Sequence, residues 1–312
     1  MPKLHLETPL IESRPFAAIL GKPVWLKLEC LQPVGSFKAR GMGAACEQAH
    51  AAGAQRIVSS SGGNAGYAVA RAARLLGLDA TIIVPRNSSQ RSRELIASES
   101  ATLLEHGASW DDAHAHALEL ARNDPGARYV HPFDDPVVWR GHATLVEELG
   151  RQGPKPDALV VSVGGGGLLI GILEGLAAAG WGDVPILAVE TTGAASYAQA
   201  IAAGELVTLD RIDSLAVTLG ARTVAPAALD WYRRHPITPW TVSDSDAVLA
   251  CERFADDHRL LVEPACGAAL ATLYDDAEPL RAASSVHVIA CGGAGVDRAL
   301  LQQWRARVDS TA

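Results

Sequence analysis

The sequence predicts an α/β protein built on parallel β-sheets that are covered by helices on both faces. Short, continuously apolar runs rich in β-branched residues alternate with Ala- and Leu-rich helical stretches along most of the chain. With 312 residues, the chain is long enough for two domains of ordinary size and a large buried core. Ligands of such sheets bind at the carboxyl ends of the strands, so we expect the site in the loops that follow them.

Predicted strands and predicted helices alternate along the chain. Apolar runs predict strands over Arg56–Ser59, Ala80–Pro85, Asp157–Val163, Pro185–Glu190 and Val286–Cys291. Helical patterns cover Ala39–Ala52, Ala65–Leu76 (closed by Gly77), Ser109–Arg122 and the stretch from the glycine loop after Val163 to Ala179. The clearest break in the middle of the chain is Gln152–Pro156, where glycine and two prolines predict a hinge-like connection.

Composition and charge exclude several classes of protein. Hydrophobic residues make up 48% and charged residues 20%, which is typical of a soluble globular protein. A formal net charge of -8 argues against nucleic acid or anionic membranes as partners. No apolar leader is evident at the start, and the apolar stretch Leu168–Gly180 is too short to span a bilayer. We therefore expect a cytoplasmic protein with reduced thiols, since its scattered cysteines form no paired motif: Cys30, Cys46, Cys251, Cys266 and Cys291.

Lys38 lies in the run Gly35–Gly41, before the first predicted helix. Ser36 is placed as the N-cap of that helix, so Lys38 would experience the positive end of the helix dipole, which disfavours an ammonium ion. A neutral amine is a nucleophile and a base, and it can form a Schiff base with an aldehyde. On spacing alone, a solvated surface lysine is the more common interpretation. Three further loops change that balance.

The loop Ser59–Gly66 connects a predicted strand to a predicted helix. Its small residues leave backbone N–H groups accessible at a helix N-terminus, which suits a carboxylate. Asn64 adds an amide that can both donate and accept hydrogen bonds. An ordinary Ser/Gly turn explains this loop equally well when it is taken alone.

Two glycine-rich loops complete the set. Gly164–Leu168 places four consecutive glycines between a buried strand and a helix, and close approach to an anion such as a phosphate explains that run best. It matches neither a Walker loop nor GxGxxG. Cys291–Gly295 follows the last predicted strand. Its cysteine is either a small buried hydrophobe or a neutral partner for a pyridine ring.

Together these loops resemble the fold type II (tryptophan-synthase-like) pyridoxal-phosphate enzymes, and among them the serine and threonine dehydratases. The similar segments are Ser162–Leu169, Gly180–Pro185, Val262–Ala269 and Cys291–Gly293. The resemblance implies two open, twisted, mostly parallel sheets flanked by helices, with the active site between two domains. The large domain would comprise residues 1–37 and 142–312, and the small domain residues 38–141. A homodimer is also implied.

The resemblance implies a role for each loop. Lys38 would hold pyridoxal 5'-phosphate covalently, with Phe37 against one ring face, Asn64 at the ring hydroxyl and Cys291 at the pyridine nitrogen. The phosphate would be bound by Gly164, Gly165, Gly166, Gly167 and Leu168. The substrate carboxylate would be bound by Ser61, Gly62, Asn64 and Ala65.

A monovalent cation, usually potassium, is implied near the phosphate loop. Its ligands, mostly backbone carbonyls, would be Gly164, Glu190, Ala194, Ser196, Leu219 and Ala221. From the residues alone, Glu190 is equally an ordinary ion-paired acid at a strand end.

The activity that the resemblance implies is β-elimination from a small amino acid. L-Serine would give pyruvate and ammonia, and L-threonine would give 2-oxobutanoate and ammonia, with Lys38 as the base at Cα. Two positions depart from a liver member of the family: Gly62 and Thr218 stand where that enzyme has alanine. These changes leave the relative preference for serine and threonine open.

Four alternative classes of protein differ from a dehydratase in features that the sequence shows. An amino-acid racemase of the same fold needs an acid/base opposite Lys38, where serine racemase has a serine and this chain has Gly62. A cysteine synthase typically has Gly-Thr-Gly-Gly-Thr in its phosphate loop. Threonine deaminases with an allosteric tail extend further beyond the Cys291 loop. A cofactor-free binding protein on this fold would be expected to lack Lys38, and an absorbance spectrum separates that class from the enzymes.

Overall fold

The computed structural model describes residues 4–310, and the terminal parts of the predicted large domain, residues 1–3 and 311–312, lie outside the described residues. Within that range the chain forms ten strands in two sheets. The strands are β1 (Leu10–Glu12), β2 (Val24–Lys27), β3 (Arg56–Ser59), β4 (Asp79–Val84), β5 (Thr102–Glu105), β6 (Ala127–Tyr129), β7 (Ala158–Ser162), β8 (Ile186–Thr191), β9 (Ile237–Val242) and β10 (Val286–Ile289).

Twelve α-helices accompany the strands in residues 4–310. They are α1 (Arg14–Leu20), α2 (Lys38–Ala51), α3 (Asn64–Leu76), α4 (Gln90–Ser98), α5 (Trp110–Asn123), α6 (Pro136–Gln152), α7 (Gly167–Ala178), α8 (Ser196–Ala203), α9 (Pro226–Tyr232), α10 (Asp244–His258), α11 (Pro264–Tyr274) and α12 (Arg298–Asp309). None of them is both long and apolar enough to cross a lipid bilayer.

The larger sheet has six strands in the order β1-β2-β10-β7-β8-β9. Only the edge pair β1–β2 is antiparallel, and the other pairs are parallel. The central strands β7, β8 and β10 are buried along their whole length, which explains why they read as continuous apolar runs. Their carboxyl ends lie side by side, so Glu190, near the end of β8, lies beside the segments that carry Gly164–Gly167 and Cys291.

The smaller sheet has four parallel strands in the order β5-β4-β3-β6. At its centre, β3 pairs with both β4 and β6, so the loops after β3 and β6 emerge next to each other. Those loops carry Ser60–Gly63 and residues 130–135. The prediction of two mostly parallel sheets flanked by helices is therefore confirmed, while the division of the chain into domains at residues 37 and 141 stays a prediction.

The predicted elements all occur, with ends displaced by one or two residues. The prediction of Ser36 as the N-cap of α2 is wrong. Phe37 occupies that position without a side-chain cap, and the Ser36 hydroxyl is buried with no hydrogen-bond partner among the described residues. The reason is tertiary: Ser36 forms an isolated antiparallel bridge with Gly292, which holds it in extended backbone just before the helix begins.

Candidate active site

Lys38 is the first residue of α2, and the Cys291 loop fixes its position. The backbone N–H of Phe37 donates to the Cys291 carbonyl at 3.1 Å, and the N–H of Gly293 donates to the Gly35 carbonyl at 2.8 Å. These two bonds connect the start of α2 to the end of β10, two segments about 250 residues apart in the sequence. The lysine predicted to be reactive is thus held at the carboxyl end of the larger sheet.

The Lys38 amine is removed from water and contacts a backbone carbonyl and an aromatic ring. Its Nζ donates to the Pro132 carbonyl at 2.5 Å and lies 5.1 Å from the centre of the Phe37 ring. Removal from water lowers the pKa of Lys38 to about 8, while the neighbouring Cys291 opposes that shift. The sequence predicted the direction of this shift from the helix dipole, but burial is its principal cause. A substantial fraction of the amine is neutral near physiological pH.

The segment His131–Phe133, after β6, connects Lys38 to the glycine loop. The backbone N–H groups of Phe133 and Asp134 both donate to His131 Nδ1, which shapes this turn. Burial, with the nearby His114 and Lys38, lowers the pKa of His131 to about 3, so its imidazole is neutral. Phe133 packs so closely on the loop that an added Cβ at Gly165 would lie 2.3 Å from its ring. Any side chain at that position would displace the aromatic ring.

The predicted phosphate loop lies between β7 and α7. Gly166 has φ +88°, a left-handed conformation that favours glycine, and it precedes the first residue of α7. The N–H groups in the first turn of a helix have no intrahelical acceptor, so this end of α7 attracts an anion. Leu219 closes the loop on its other side, since a Cβ at Gly164 would lie 3.0 Å from the Leu219 Cα.

The Asn64 loop is joined to the larger sheet by Glu263. Asn64 Nδ2 and Thr218 Oγ1 both donate to Glu263 Oε1, at 2.7 and 2.6 Å. Asn64 Oδ1 accepts from the backbone N–H of Ala294 at 2.9 Å, which ties the same side chain to the Cys291 loop. Asn64 is the first residue of α3 and therefore stands where a parallel strand of the smaller sheet leads into its helix.

The residues predicted for the substrate carboxylate surround the start of α3. Ser61 Oγ accepts from the backbone N–H of Gly63 at 3.3 Å, and Ala65 is buried in the first turn. Gly62 is enclosed on its side-chain side, because a Cβ there would lie 2.2 Å from Ser88 Oγ and 2.9 Å from Ser88 Cβ. A serine at position 62 therefore requires Ser88 to move or to be replaced.

Cys291 is buried, and its thiol is protonated. A hydrogen bond with Cys266, together with burial, raises the pKa of Cys291 well above its ordinary value. The residue therefore offers a pyridine nitrogen a neutral thiol and not a thiolate, as the sequence predicted for such a partner. Cys266, in α11, was identified from the sequence only as part of a similar segment, and the structure gives it this contact.

Of the residues predicted to bind a cation, Gly164 and Glu190 lie at neighbouring ends of β7 and β8. The Val163 N–H donates to the Val189 carbonyl at 2.8 Å, so Gly164 and Glu190 each follow a paired position. Leu219 contacts Gly164, and the Ala221 N–H donates to the Leu219 carbonyl. Ala194 is buried before α8, and in the described part of the chain the buried Ser196 hydroxyl has no partner.

Glu190 is fully buried and forms no ion pair within residues 4–310. Its carboxylate accepts the backbone N–H groups of Tyr197 and Ala198, at 2.9 and 2.8 Å, in the first turn of α8. Burial raises the pKa of Glu190 to about 7 in spite of these two bonds. The interpretation of Glu190 as an ordinary ion-paired acid is therefore wrong.

Taken together, these contacts form a closed ring that joins the loops. Lys38 contacts Pro132, and the adjoining Phe133 contacts the glycine loop. The glycine loop contacts Leu219, while Thr218 joins Glu263 and Asn64. Asn64 accepts a hydrogen bond from Ala294, which belongs to the same loop that holds the start of α2 and Lys38. Every loop singled out in the sequence lies on this ring, together with Pro132, Phe133 and Glu263, whose part the sequence reasoning missed.

The donors on this ring fit a phosphorylated pyridine aldehyde. They comprise an amine with a lowered pKa, a helix N-terminus for a phosphate, an amide for a hydroxyl and a neutral thiol for a ring nitrogen. Pro132 and Phe133 could have been found by one signal, since they follow β6 and ligands bind at the carboxyl ends of parallel strands.

Comparison with known proteins defines the class. Residues 2–292 match the family described as pyridoxal-phosphate dependent enzyme, and the chain belongs to this family. The resemblance found in the sequence is thus confirmed, as is pyridoxal phosphate as the cofactor of the family.

Particular relatives resemble the chain over nearly its whole length. L-Serine dehydratase/L-threonine deaminase of Mus musculus is 46% identical over 308 residues, covering 96% of this chain and 94% of that protein. The crystal structure of a fungal L-serine ammonia-lyase from Rhizomucor miehei superimposes with a TM-score of 0.92 at 36% identity, covering 98% of this chain and 99% of that one. Maize serine racemase gives 0.86 at 27% identity, covering 98% and 94%.

Proposed function

We propose that this protein is an ammonia-lyase that converts L-serine to pyruvate and ammonia, and L-threonine to 2-oxobutanoate and ammonia. The observation that carries the proposal is the Lys38 amine, which has a pKa of about 8 and lies on the ring of contacts described above. The whole-chain similarity to relatives named for serine and threonine deamination supports the choice of substrate.

Pyridoxal phosphate, when bound, supplies the electron sink that makes the substrate α-hydrogen acidic. The start of α7 would bind its phosphate and the neutral Cys291 thiol would face its ring nitrogen. The first turn of α3, with Ser61, Gly62, Asn64 and Ala65, would bind the substrate carboxylate. Phe37 would lie against the ring.

Lys38 would act as the base. Its Nζ takes the proton from Cα, the Cβ–O bond breaks, and the departing hydroxide takes up a proton to leave as water. The released 2-aminoacrylate, or its methyl homologue from threonine, hydrolyses in solution to the 2-oxo acid and ammonia. The Pro132 carbonyl can hold Lys38 Nζ while it carries the proton.

Racemisation is the second candidate, because serine racemase has the same fold. Gly62 favours elimination, since it has no side chain to serve as a second acid/base opposite Lys38. The enclosed space at Gly62, bounded by Ser88, supports the same choice.

We also propose a bound monovalent cation, a homodimer and a cytoplasmic location. A potassium ion near Glu190 would supply positive charge beside a buried, unpaired carboxylate, and the buried Ser196 hydroxyl would gain a partner. Residues 1–37 and 142–312 would form the large domain and residues 38–141 the small one, consistent with the two sheets.

Replacing Lys38 by alanine tests the function directly. We expect Lys38→Ala to fold, to form no covalent adduct that borohydride can reduce, and to lose at least a thousandfold in serine deamination, because it lacks both the attachment point and the base. Lys155→Ala is a matched control, since that lysine is exposed and, in the described part of the chain, forms an ion pair only with Asp183. Normal turnover in Lys38→Ala would show the assignment to be wrong.

Chiral chromatography separates the two candidate reactions. The wild-type protein should make pyruvate from L-serine without accumulating D-serine, and D-serine should be a poor substrate because Lys38 faces one side of Cα only. Interconversion of the enantiomers faster than pyruvate formation would establish the racemase instead.

A further inference from the structure

Glu263 is a buried carboxylic acid to which the proposed mechanism assigns no step. It caps α11 and is only 8% exposed, between the Asn64 loop, Thr218 and the Cys291 loop. Gly293 lies against the Glu263 side chain. A Cβ at Gly293 would lie 2.5 Å from Glu263 Cγ and 2.7 Å from Cδ, and Gly293 has φ +150°. The glycine therefore allows the stem of Glu263 to pass.

The hydrogen bonds of Asn64 fix which way its amide points. The backbone N–H of Ala294 can only donate, so the atom facing it must be the Asn64 oxygen. On the other side, Glu263 Oε1 accepts from Asn64 Nδ2. Both contacts require the same orientation of the amide, and they leave one N–H of Nδ2 free to donate elsewhere.

We propose that Glu263 is a positioning residue, which fixes the Asn64 amide so that its remaining N–H donates to the ring hydroxyl of the bound cofactor. Reversal of the amide would present an acceptor instead and would break both existing bonds. A donor at this position stabilises the deprotonated ring oxygen, since hydrogen bonding to a charged form favours it. The inference rests on the proposed placement of the cofactor and not on the substrate.

Glu263 can perform this role in either protonation state. Burial raises the pKa of Glu263 to about 7, while the bonds from Thr218 and Asn64 oppose the shift. In the protonated acid the proton can reside on Oε2, because Oε1 is already occupied by two donors. Oε1 therefore accepts from Asn64 on both sides of neutrality.

The test measures cofactor binding and its absorption spectrum, not turnover. Cofactor-free wild type, Glu263→Ala, Glu263→Gln and Glu99→Ala are titrated with pyridoxal phosphate. In Glu263→Ala we expect the dissociation constant to be about tenfold larger, as loss of one buried hydrogen bond predicts. We also expect a larger share of the shorter-wavelength absorption band, which belongs to cofactor with a protonated ring oxygen. Glu263→Gln keeps an oxygen that accepts from Asn64 and should retain most of the wild-type spectrum.

Glu99→Ala is the matched control, because it removes a buried glutamate that pairs with Arg74 and lies outside the ring of contacts. Its spectrum should match the wild type. A wild-type spectrum and dissociation constant in Glu263→Ala would overturn the proposal, and so would an equal change in Glu99→Ala.

A double-mutant cycle tests whether Glu263 acts on the cofactor through Asn64. Adding Glu263→Ala to Asn64→Ala should weaken cofactor binding no further than Asn64→Ala alone, whereas additive losses would overturn the role assigned to Glu263. If Glu263→Ala does not fold, Glu263→Leu replaces it, since leucine refills the space. Failure of the proposed function is separate, because it would appear as a wild-type protein that binds the cofactor but does not deaminate serine.

Discussion

Two groups of ionisable side chains are largely removed from water in this protein, and they differ in how their charges are balanced. One group, here the buried ion cluster, comprises Lys27, Glu29, Arg40 and Glu148. The other, here the unpaired group, comprises Lys38, Glu190 and Glu263. Arg40 and Lys38 are only two residues apart on α2, so the same helix carries one member of each.

The buried ion cluster contains two cations and two carboxylates. The Arg40 guanidinium donates to both oxygens of Glu29 and both oxygens of Glu148, at 2.6–2.8 Å. Lys27 Nζ donates to Glu148, Gln152 and the Thr8 carbonyl. Burial acts to raise the pKa of Glu148, yet the bonds from Arg40 and Lys27 outweigh it and leave that pKa lowered.

In the unpaired group, burial is the principal cause of every pKa shift. The pKa of Glu190 and that of Glu263 rise to about 7, and the pKa of Lys38 falls to about 8. Each shift favours the neutral form, which is the expected result when a buried charge has no counter-ion. The ion pairs of the buried ion cluster thus keep its members charged and attach α2 to β2 and α6, whereas burial without a counter-ion favours the neutral forms of Lys38, Glu190 and Glu263.

The largest effect is expected when the buried ion cluster is broken. Arg40→Met leaves Glu29 and Glu148 buried with Lys27 as their only cation, and removal of one partner from a buried ion pair costs about 3–5 kcal/mol. Urea unfolding should show that loss. Arg56→Met, at an exposed pair with Asp124, is the control and should cost about 0–1 kcal/mol. Equal losses would remove the distinction between buried and exposed pairs.

A smaller effect is expected at Glu190. The folded protein retains the Glu190 proton up to about pH 7, whereas the unfolded chain releases it near 4.5, so the free energy of unfolding falls as pH rises through this window. In a potassium-free buffer this contribution amounts to roughly 3 kcal/mol, at 1.36 kcal/mol for each pKa unit. Glu190→Gln should lack it, and parallel stability–pH curves for the two proteins would contradict the prediction.

Added potassium gives a second test of Glu190, again by measuring stability. If a cation binds beside Glu190, added potassium should raise the thermal unfolding temperature of the wild type at pH 8 and leave Glu190→Gln unchanged. An equal response in both proteins would place the cation elsewhere.

The smallest effect concerns Lys38. Only the neutral amine attacks an aldehyde, so the rate at which cofactor-free protein takes up pyridoxal phosphate covalently should rise with pH and level off above about 8. At pH 7 the rate should be roughly tenfold below that plateau, as a group with such a pKa requires. A rate that still rises near pH 10 would indicate an ordinary solvated lysine. Stopped-flow absorbance gives the profile.

Much of the fold could be predicted from the sequence, because its signals are local. The buried strands β7 and β10 are continuous apolar runs, and Gly77 closes α3 in the left-handed conformation that glycine favours. The edge strand β1, with three residues and exposed side chains, gave no such signal. Short edge strands are defined by their pairing partners and not by their own pattern.

The sequence predicted the loops of the candidate site but not the contacts between those loops. Lys38, Asn64, the glycine loop and Cys291 each stand where a strand or a turn leads into the next segment, and their residue types indicate their chemistry. Glu263 bonds to Thr218 and to Asn64 across 45 and 199 residues of sequence, and Phe133 packs on Gly165, which follows the next strand. No local pattern reports such a contact.

The sequence by itself determined the class of fold and predicted Lys38 and the loops that suit a phosphorylated aldehyde, since periodicity, glycine runs and residue chemistry are properties of neighbouring residues. The tertiary structure decided the start of α2 at Lys38, the principal cause of its lowered pKa and the absence of an ion pair at Glu190 within residues 4–310. The physical reason is that burial and long-range hydrogen bonds set the cost of a charge, and both depend on segments that meet only after folding.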